Sequence, residues 1–238
     1  MNSNRRWLAS ALLSFVAGYV DTIGFVALFG LFTAHVTGNF VLVGATLGTM
    51  ASGGVSAGLI GKLLTLPVFI IGVALTTIAL RSIKRSTGGV TQIALLMQTL
   101  GVLLFMLAGL WAQPILDADA PSTVICGMLG VLAMSVQNAG ARLVFSEMAP
   151  STVMTGNVSQ LVIDGLDIWR GVDSASVGSA RARVSKMLPS VMTFLVGALA
   201  GGLGYQFLGF WALLAAVAAL LLAMVVYSFP LQPQGTGA

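Results

Sequence analysis

The sequence predicts an all-α polytopic membrane protein: about six transmembrane helices plus two short Thr-Gly-Asn-headed helices, in two pseudo-repeats that are inverted. Three observations carry this. Hydrophobic residues make up 57% of the 238-residue chain and charged residues 8%, with a mean hydropathy of +0.99. A soluble domain has about 25% charged residues, and seven acids with eleven bases cannot clothe a water-facing surface. Apolar runs of spanning length alternate with short polar or Gly-rich breaks. Finally, matching motifs recur about half a chain apart.

Residues 8–31 form the first apolar run. As a helix this run is ~36 Å long, enough to cross a hydrocarbon core of ~30 Å. A secretory signal has a shorter apolar core and a small-x-small cleavage site, so the run reads as a helix that stays attached. Residues 39–50 are a half-length apolar piece, closed by Ala51-Ser52-Gly53-Gly54. Helices are predicted over 63–80, opened by Leu66-Pro67, and over 91–111. A loop with Asp117 and Asp119 follows. The order then repeats: a helix over 122–143, a half-length piece over 157–168, a basic loop to Lys186, a helix over 188–205 opened by Leu188-Pro189, and a helix over 209–229. The two repeats occupy residues 1–116 and 117–229 of one membrane domain. The tail, 230–238, reads as disordered.

Thr37-Gly38-Asn39 returns 118 residues later as Thr155-Gly156-Asn157, and Leu66-Pro67 returns 122 residues later as Leu188-Pro189. Sixteen residues before Thr37 lies Asp21, and 17 before Thr155 lies Asn138, beside Gln137. Shared order at a fixed period is the mark of an internal repeat.

The half-length pieces decide the topology. If they re-enter and return, six helices span, and Arg5, Arg6, Arg81, Lys84, Arg85, Arg142, Arg170, Arg181, Arg183 and Lys186 share one side, leaving Lys62 on the other. If both span, the bases split seven to four. The excess of Lys and Arg on the cytoplasmic side favours the re-entrant arrangement, with both termini cytoplasmic. Three spans then separate the halves, so the second is inverted, a plan that recurs in secondary transporters with midplane sites.

Asp21 is the sharpest candidate residue. A charged carboxylate at depth costs at least ~2.5–3.5 kcal/mol, so it must be protonated, paired or wet. It reads either as a coupling-proton carrier or as a structural partner of Thr37, Asn39 or a backbone group. Thr37, Gly38, Asn39, Thr155, Gly156 and Asn157 suit the starts of half-helices, Thr as N-cap and Asn as donor and acceptor. Two such N-termini facing each other would favour an anionic or dipolar ligand. Gln137 and Asn138 are site-lining candidates or interhelical glue; His35 and Asp164 are accessory candidates. Arg142 and Glu147 suggest a salt bridge at the membrane edge. Gly197, Gly201, Gly202 and Gly204 form a small-residue face on 188–205, suited to helix packing or a homodimer contact. Trp7, Trp111, Trp169 and Tyr227 fall near span ends.

The residues Gly18-Tyr19-Val20-Asp21-Thr22-Ile23-Gly24-Phe25, His35-Val36-Thr37-Gly38-Asn39, Gln137-Asn138-Ala139 and Thr152-Val153-Met154-Thr155-Gly156-Asn157 give the chain its family likeness. It resembles the YoaK-type family of bacterial inner-membrane proteins, a domain-of-unknown-function family. The resemblance implies a polytopic bacterial membrane protein and brings no substrate.

Several chemistries lack their motifs. There is no Gly-x-x-x-x-Gly-Lys phosphate loop, no metal-ligand spacing, and one histidine and one cysteine, Cys126. No enzyme activity and no cofactor are expected. The basic residues answer to topology, so no nucleic-acid partner is expected. The expected partners are the lipid bilayer, a small-molecule solute and a second copy of the chain. The expectation is an inner-membrane secondary transporter or permease for a small polar or anionic solute, with a passive channel or a non-transporting scaffold as alternatives.

Overall fold

The apolar run that opens the chain stops being a helix at Ala27. In the computed structural model, which describes residues 3–53, 58–83, 87–145, 153–171 and 173–228, α1 spans Ser3–Ala27. Phe29 (φ 54) and Gly30 (φ 81) then turn the chain in the left-handed region. For a bulky residue such as Phe that region costs about 1–2 kcal/mol. Residues 31–35 run back beside α1 as a non-helical limb. The helix expected to reach residue 31 therefore ends four residues early.

The remaining helices are α2 (Val36–Ala51), α3 (Leu59–Ser82), α4 (Thr87–Ala112), α5 (Pro121–Leu143), α6 (Met154–Arg170), α7 (Ser174–Leu208) and α8 (Leu213–Ser228), with one 3₁₀ turn at Gly209–Ala212. Pro67 and Pro189 lie inside α3 and α7 rather than opening them. The stretch expected as a basic loop up to Lys186 is the first part of α7. Its Ala, Arg, Lys and Met residues are good helix formers. Asp173 caps it, accepting the Ser176 backbone N–H at 2.7 Å and the Ser176 hydroxyl. These bonds hold its carboxyl below the usual carboxylate value, so the cap is complete above that range and loosens as pH falls through the lowered value. Glu147 and the tail 230–238 lie outside the described residues.

Contacts between helices fix their directions. α1 and α7 run parallel: Ser14 meets Ser190, hydroxyl to hydroxyl, at 2.6 Å, Gly18 faces the Phe194 carbonyl, and Gly201 faces Tyr19. α5 runs against α1, since Gln137 bonds the Leu13 carbonyl while Gly127 and Gly130 touch Leu31 and Thr33. α3 runs with α5, from Ile60 beside Asp119 to Gly72 against Ser135. α4 runs against α5, pairing Gln98 with Gln137 and Gly101 with Ala133. α8 runs against α4, from Phe210 at Gly109 to Met224 at Gln92.

Thus α1, α4 and α7 point one way and α3, α5 and α8 the other. Each helix of the first half opposes its counterpart in the second, so the halves are inverted. Five stretches are long and apolar enough to cross a membrane, and the last, Ser174–Ser228, holds both α7 and α8. That stretch turns back at Gly209 (φ 56), so six helices cross the bundle in alternating directions, α8 with 16 residues. The start of α1, the end of α3, the end of α5, the α6–α7 connection and the end of α8 share what we term the first face. The end of α1, the start of α3 and the α4–α5 connection share the second. Packing is exchanged between halves, with α1 on α7 and α5 on α3.

The direction of α2 follows from chain reach. It begins beside Asp21 and Gly24, inside the bundle, and α3 begins on the second face. Heading for the first face, the end of α2 would lie ~24 Å farther from that start, ~33 Å away in all. The eight steps from Ala51 to Leu59 cover at most ~28 Å. α2 therefore returns to the face from which the limb entered. By the same logic α6 lies antiparallel to α7, with Asp164 beside Arg183, and leads back to the first face.

Without a hydrophobic drive between helices in lipid, close approach of backbones supplies the attraction. The α1–α7 seam shows it. A Cβ on Gly18 or Gly197 would collide with the Phe194 or Phe15 carbonyl oxygen, and one on Gly201 would sit 2.5 Å from the Tyr19 carbonyl. The glycine face considered for a dimer contact is thus largely occupied within the chain. α3 is the opposite case: Ile70, Ile71, Leu75 and Ile78 are each more than half exposed and face lipid.

Two predictions follow from this packing. Gly201→Ala should cost about 1–3 kcal/mol through overpacking and lower the melting temperature in detergent by several degrees. Gly48→Ala, with open space around it, should leave the melting temperature unchanged or raise it. Single cysteines at Gly53 and Ala118 in a Cys126→Ser background should react with an impermeant thiol reagent from one face, and cysteines at Ile83 and Gly171 from the other. Gly53 reacting together with Ile83 would refute the re-entrant course of α2.

Candidate functional site

The break after α1 strips two backbone N–H groups of helical partners, and a side chain replaces them. Asp21 is 4% exposed. Its Oδ1 accepts the N–H of Thr33 at 2.7 Å, the N–H of Ala34 at 2.6 Å and the Thr33 hydroxyl at 3.2 Å. Its Oδ2 faces His35 Nδ1 at 2.5 Å. The limb can approach because Gly24 and Gly130 leave room for the Thr33 methyl between α1 and α5. His35 is about one-third exposed and meets two rings edge-on, Phe32 at 6.0 Å and Phe194 at 5.8 Å between centroids.

Asn39 locks the same limb from the other side. Its Nδ2 donates to the Phe32 carbonyl at 2.8 Å and its Oδ1 accepts the Phe32 N–H at 2.9 Å. Gly38 packs on the Phe32 ring. Thr37 does not cap α2: the cap position is His35, without a side-chain cap bond, and Thr37 lies one turn position inside the helix, exposed. α6 is alike, with Val153 at the cap position, Thr155 and Gly156 exposed and Asn157 buried, its amide 3.9 Å from the Met154 sulfur.

The structure brings Asp21, His35, Gly38 and Asn39 together. It places the other candidates elsewhere. Gln137 is buried in a relay of its own, accepting from Gln98 Nε2 at 2.5 Å and donating to the Leu13 carbonyl at 2.8 Å. Asn138 bonds back to the Met134 carbonyl of its own helix. Asp164, fully buried, takes a forked bond from Arg183, with Nη2 at 2.6 Å and Nε at 3.0 Å, and a third from Gln160. His35, just ahead of α2, touches Asp21 of α1 and Phe194 of α7, while α2 packs on α3 and α6 lies along α7. Near the second face a cavity of about 580 Å³ is lined by Phe29, Gln113 and Tyr205 among others, and none of the predicted site residues lines it.

Sequence reasoning missed Thr33, Phe32, Gln98 and the Ser14–Ser190 pair. Gln98 had a legible signal, a lone amide in an apolar helix. Thr33 had none, since its closest bond to Asp21 is made by its backbone N–H.

The family model described as "Protein of unknown function (DUF1275)" matches residues 9–226, nearly the whole chain. The chain belongs to the DUF1275 family. The likeness to YoaK-type proteins, which fall within DUF1275, is borne out. No curated protein and no solved structure matches the chain. The DUF1275 match covers the Asp21 clasp and both Thr-Gly-Asn segments.

The roles of Thr37 and Asn39 separate experimentally in this DUF1275 chain. Asn39→Ala strands the N–H and carbonyl of Phe32 and should cost about 1–3 kcal/mol, read as a lower melting temperature. Thr37→Ala, on an exposed position, should change stability by no more than ~0.5 kcal/mol. Equal losses would show that Thr37 has a structural partner.

Proposed function

We propose that this membrane protein is a secondary transporter or permease of the bacterial inner membrane, moving a small polar or anionic solute in exchange with protons, with the first face cytoplasmic. One observation carries the reading: two half-helices re-enter inverted halves from opposite faces, and the first is held by a buried Asp–His pair. Discontinuous helices in inverted repeats are where transporters place substrate and coupling ions. A buried ionisable pair in lipid is costly enough to suggest a function by default. The positive-inside rule supplies the orientation.

The clasp also bears on the solute. The Asp21 carboxylate already occupies the amide-rich ground just ahead of α2, where an anion would otherwise sit. This favours a polar solute over a fully charged anion at that tip. No catalytic chemistry is part of the proposal. A second reading, a non-transporting scaffold, draws support from the polar side chains of α2, α4 and α5 that are satisfied within the chain. The passive-channel alternative uses the same half-helices without coupling.

The test is solute-dependent proton flux in proteoliposomes filled with a pH-sensitive dye, challenged in turn with amino acids, short carboxylates and phosphate. A transporter gives a flux with some of these, reduced to background in Asp21→Asn at equal expression. Solute flux that ignores the proton gradient and the substitution identifies a channel. The absence of flux for every solute class, with intact protein, favours the scaffold.

A further inference from the structure

We infer that the Asp21–His35 pair is a site for a proton and not for a hard cation such as sodium or calcium, and that in this structure it exchanges with the second face alone. The inference rests on the transporter reading for its role in coupling, but not for its existence.

The ion selectivity follows from the donors. A hard cation such as sodium, magnesium or calcium needs a cage of oxygen acceptors, six or more for the divalent ions. Asp21 Oδ1 is instead crowded by three donors, two amides and a hydroxyl. Oδ2 is turned to the His35 ring. Two aromatic rings, Phe32 and Phe194, meet that ring edge-on. α1 presents Asp21, α7 presents an uncharged ring, and among the described residues Asp21 is the one ionisable group acting on His35. The free atom of the pair is His35 Nε2, which binds protons and has no oxygen partner with which to build a cage.

The charge balance gives the coupling rule. In the loaded state the imidazolium carries protons on Nδ1 and Nε2 and the carboxylate is ionised, so the pair is neutral. On release the Nε2 proton passes to water, Nδ1 keeps its proton toward Oδ2, and the pair is left with one negative charge. An uncompensated charge is expensive to bury. The unloaded pair must therefore stay in contact with water, whereas the loaded pair can be sealed.

Access is one-sided by construction. Asp21 lies six residues, ~9 Å, from the second-face end of α1 at Ala27, and 14 residues, ~21 Å, from Trp7. The limb enters from the second face and α2 leaves by it. Toward the first face the path is shut by backbone contact, with Gly18 against the Phe194 carbonyl, Gly197 against the Phe15 carbonyl, and the Ser14–Ser190 bond beyond them. Opening to the first face requires parting that seam.

His35 is the chain's single histidine, so protein labelled with ¹⁵N-histidine in lipid nanodiscs reports this site alone and needs no solute. The imidazole signals should titrate with pH and stay unchanged when potassium is replaced by sodium or when calcium is added. In Asp21→Asn the titration midpoint should fall, as loss of a neighbouring carboxylate dictates. Signals that move with sodium or calcium, or a midpoint indifferent to Asp21→Asn, overturn the proton site. If that variant does not fold, the ion titration of the unaltered protein decides alone. For sidedness, Thr37→Cys in the Cys126→Ser background should react with an impermeant reagent from the face that labels Gly53→Cys. Reaction from the opposite face overturns the one-sided access. A protein that passes these tests yet moves no solute keeps the proton site and loses the transport reading; the converse result does the reverse.

Discussion

A hydrogen-bonding debt created in α1 organises the rest of the structure. Once the helix stops at Ala27, the amides of Thr33 and Ala34 lie inside the bundle without helical acceptors, and lipid offers none. Asp21, two turns back in the same helix, accepts both. That pairing sets the depth to which the limb can enter, and hence where α2 begins and which face it returns to. It also gives a buried carboxylate a reason to exist that is independent of any solute. The limb and the acid need each other: without the amides the carboxylate would be stranded, and without the carboxylate the limb would be.

The scaffold is close to symmetric while its chemistry is not. α1 on α7 and α3 on α5 are the same contact made twice. Yet the position 118 residues after His35 is Val153, and the position after Asp21 is Ala139. The second half instead places its acid on the half-helix itself, where Asp164 is neutralised by Arg183 with forked geometry. Duplication supplied the architecture, and divergence left an exchangeable pair in one half and a static ion pair in the other. A buried acid beside a guanidinium that stays charged is a fastening; one beside an imidazole can change state near neutral pH.

Much of this was legible from composition and spacing. The membrane class, the succession of apolar helices, the half-length pieces and the inversion all follow from apolar run lengths and the placement of eleven bases. Asp21 stood out because an acid in an apolar run is rare. The end of α1 was not legible, because Leu28 to Ala34 is as apolar as a helix interior and periodicity carries no information in a segment apolar on all sides. The early start of α7 was hidden by its charge, which reads as loop although its residues favour helix. Asn39 pairs with backbone groups of Phe32, and two of the donors to Asp21 are backbone amides, which every residue has, so no side-chain pattern could announce those bonds.

The exchanged packing bears on how the chain is made. Ser14 bonds to a residue 176 positions downstream. At about 5–20 residues per second, α1 waits roughly 9–35 s in or beside the insertion machinery before α7 exists. Throughout that interval its glycine face lacks the backbone that will cover it. Neither half can finish itself, since the first helix of each is completed by the third helix of the other. Insertion order and final assembly are therefore separate events for this protein, and the bundle closes only after the last third of the chain has entered the bilayer.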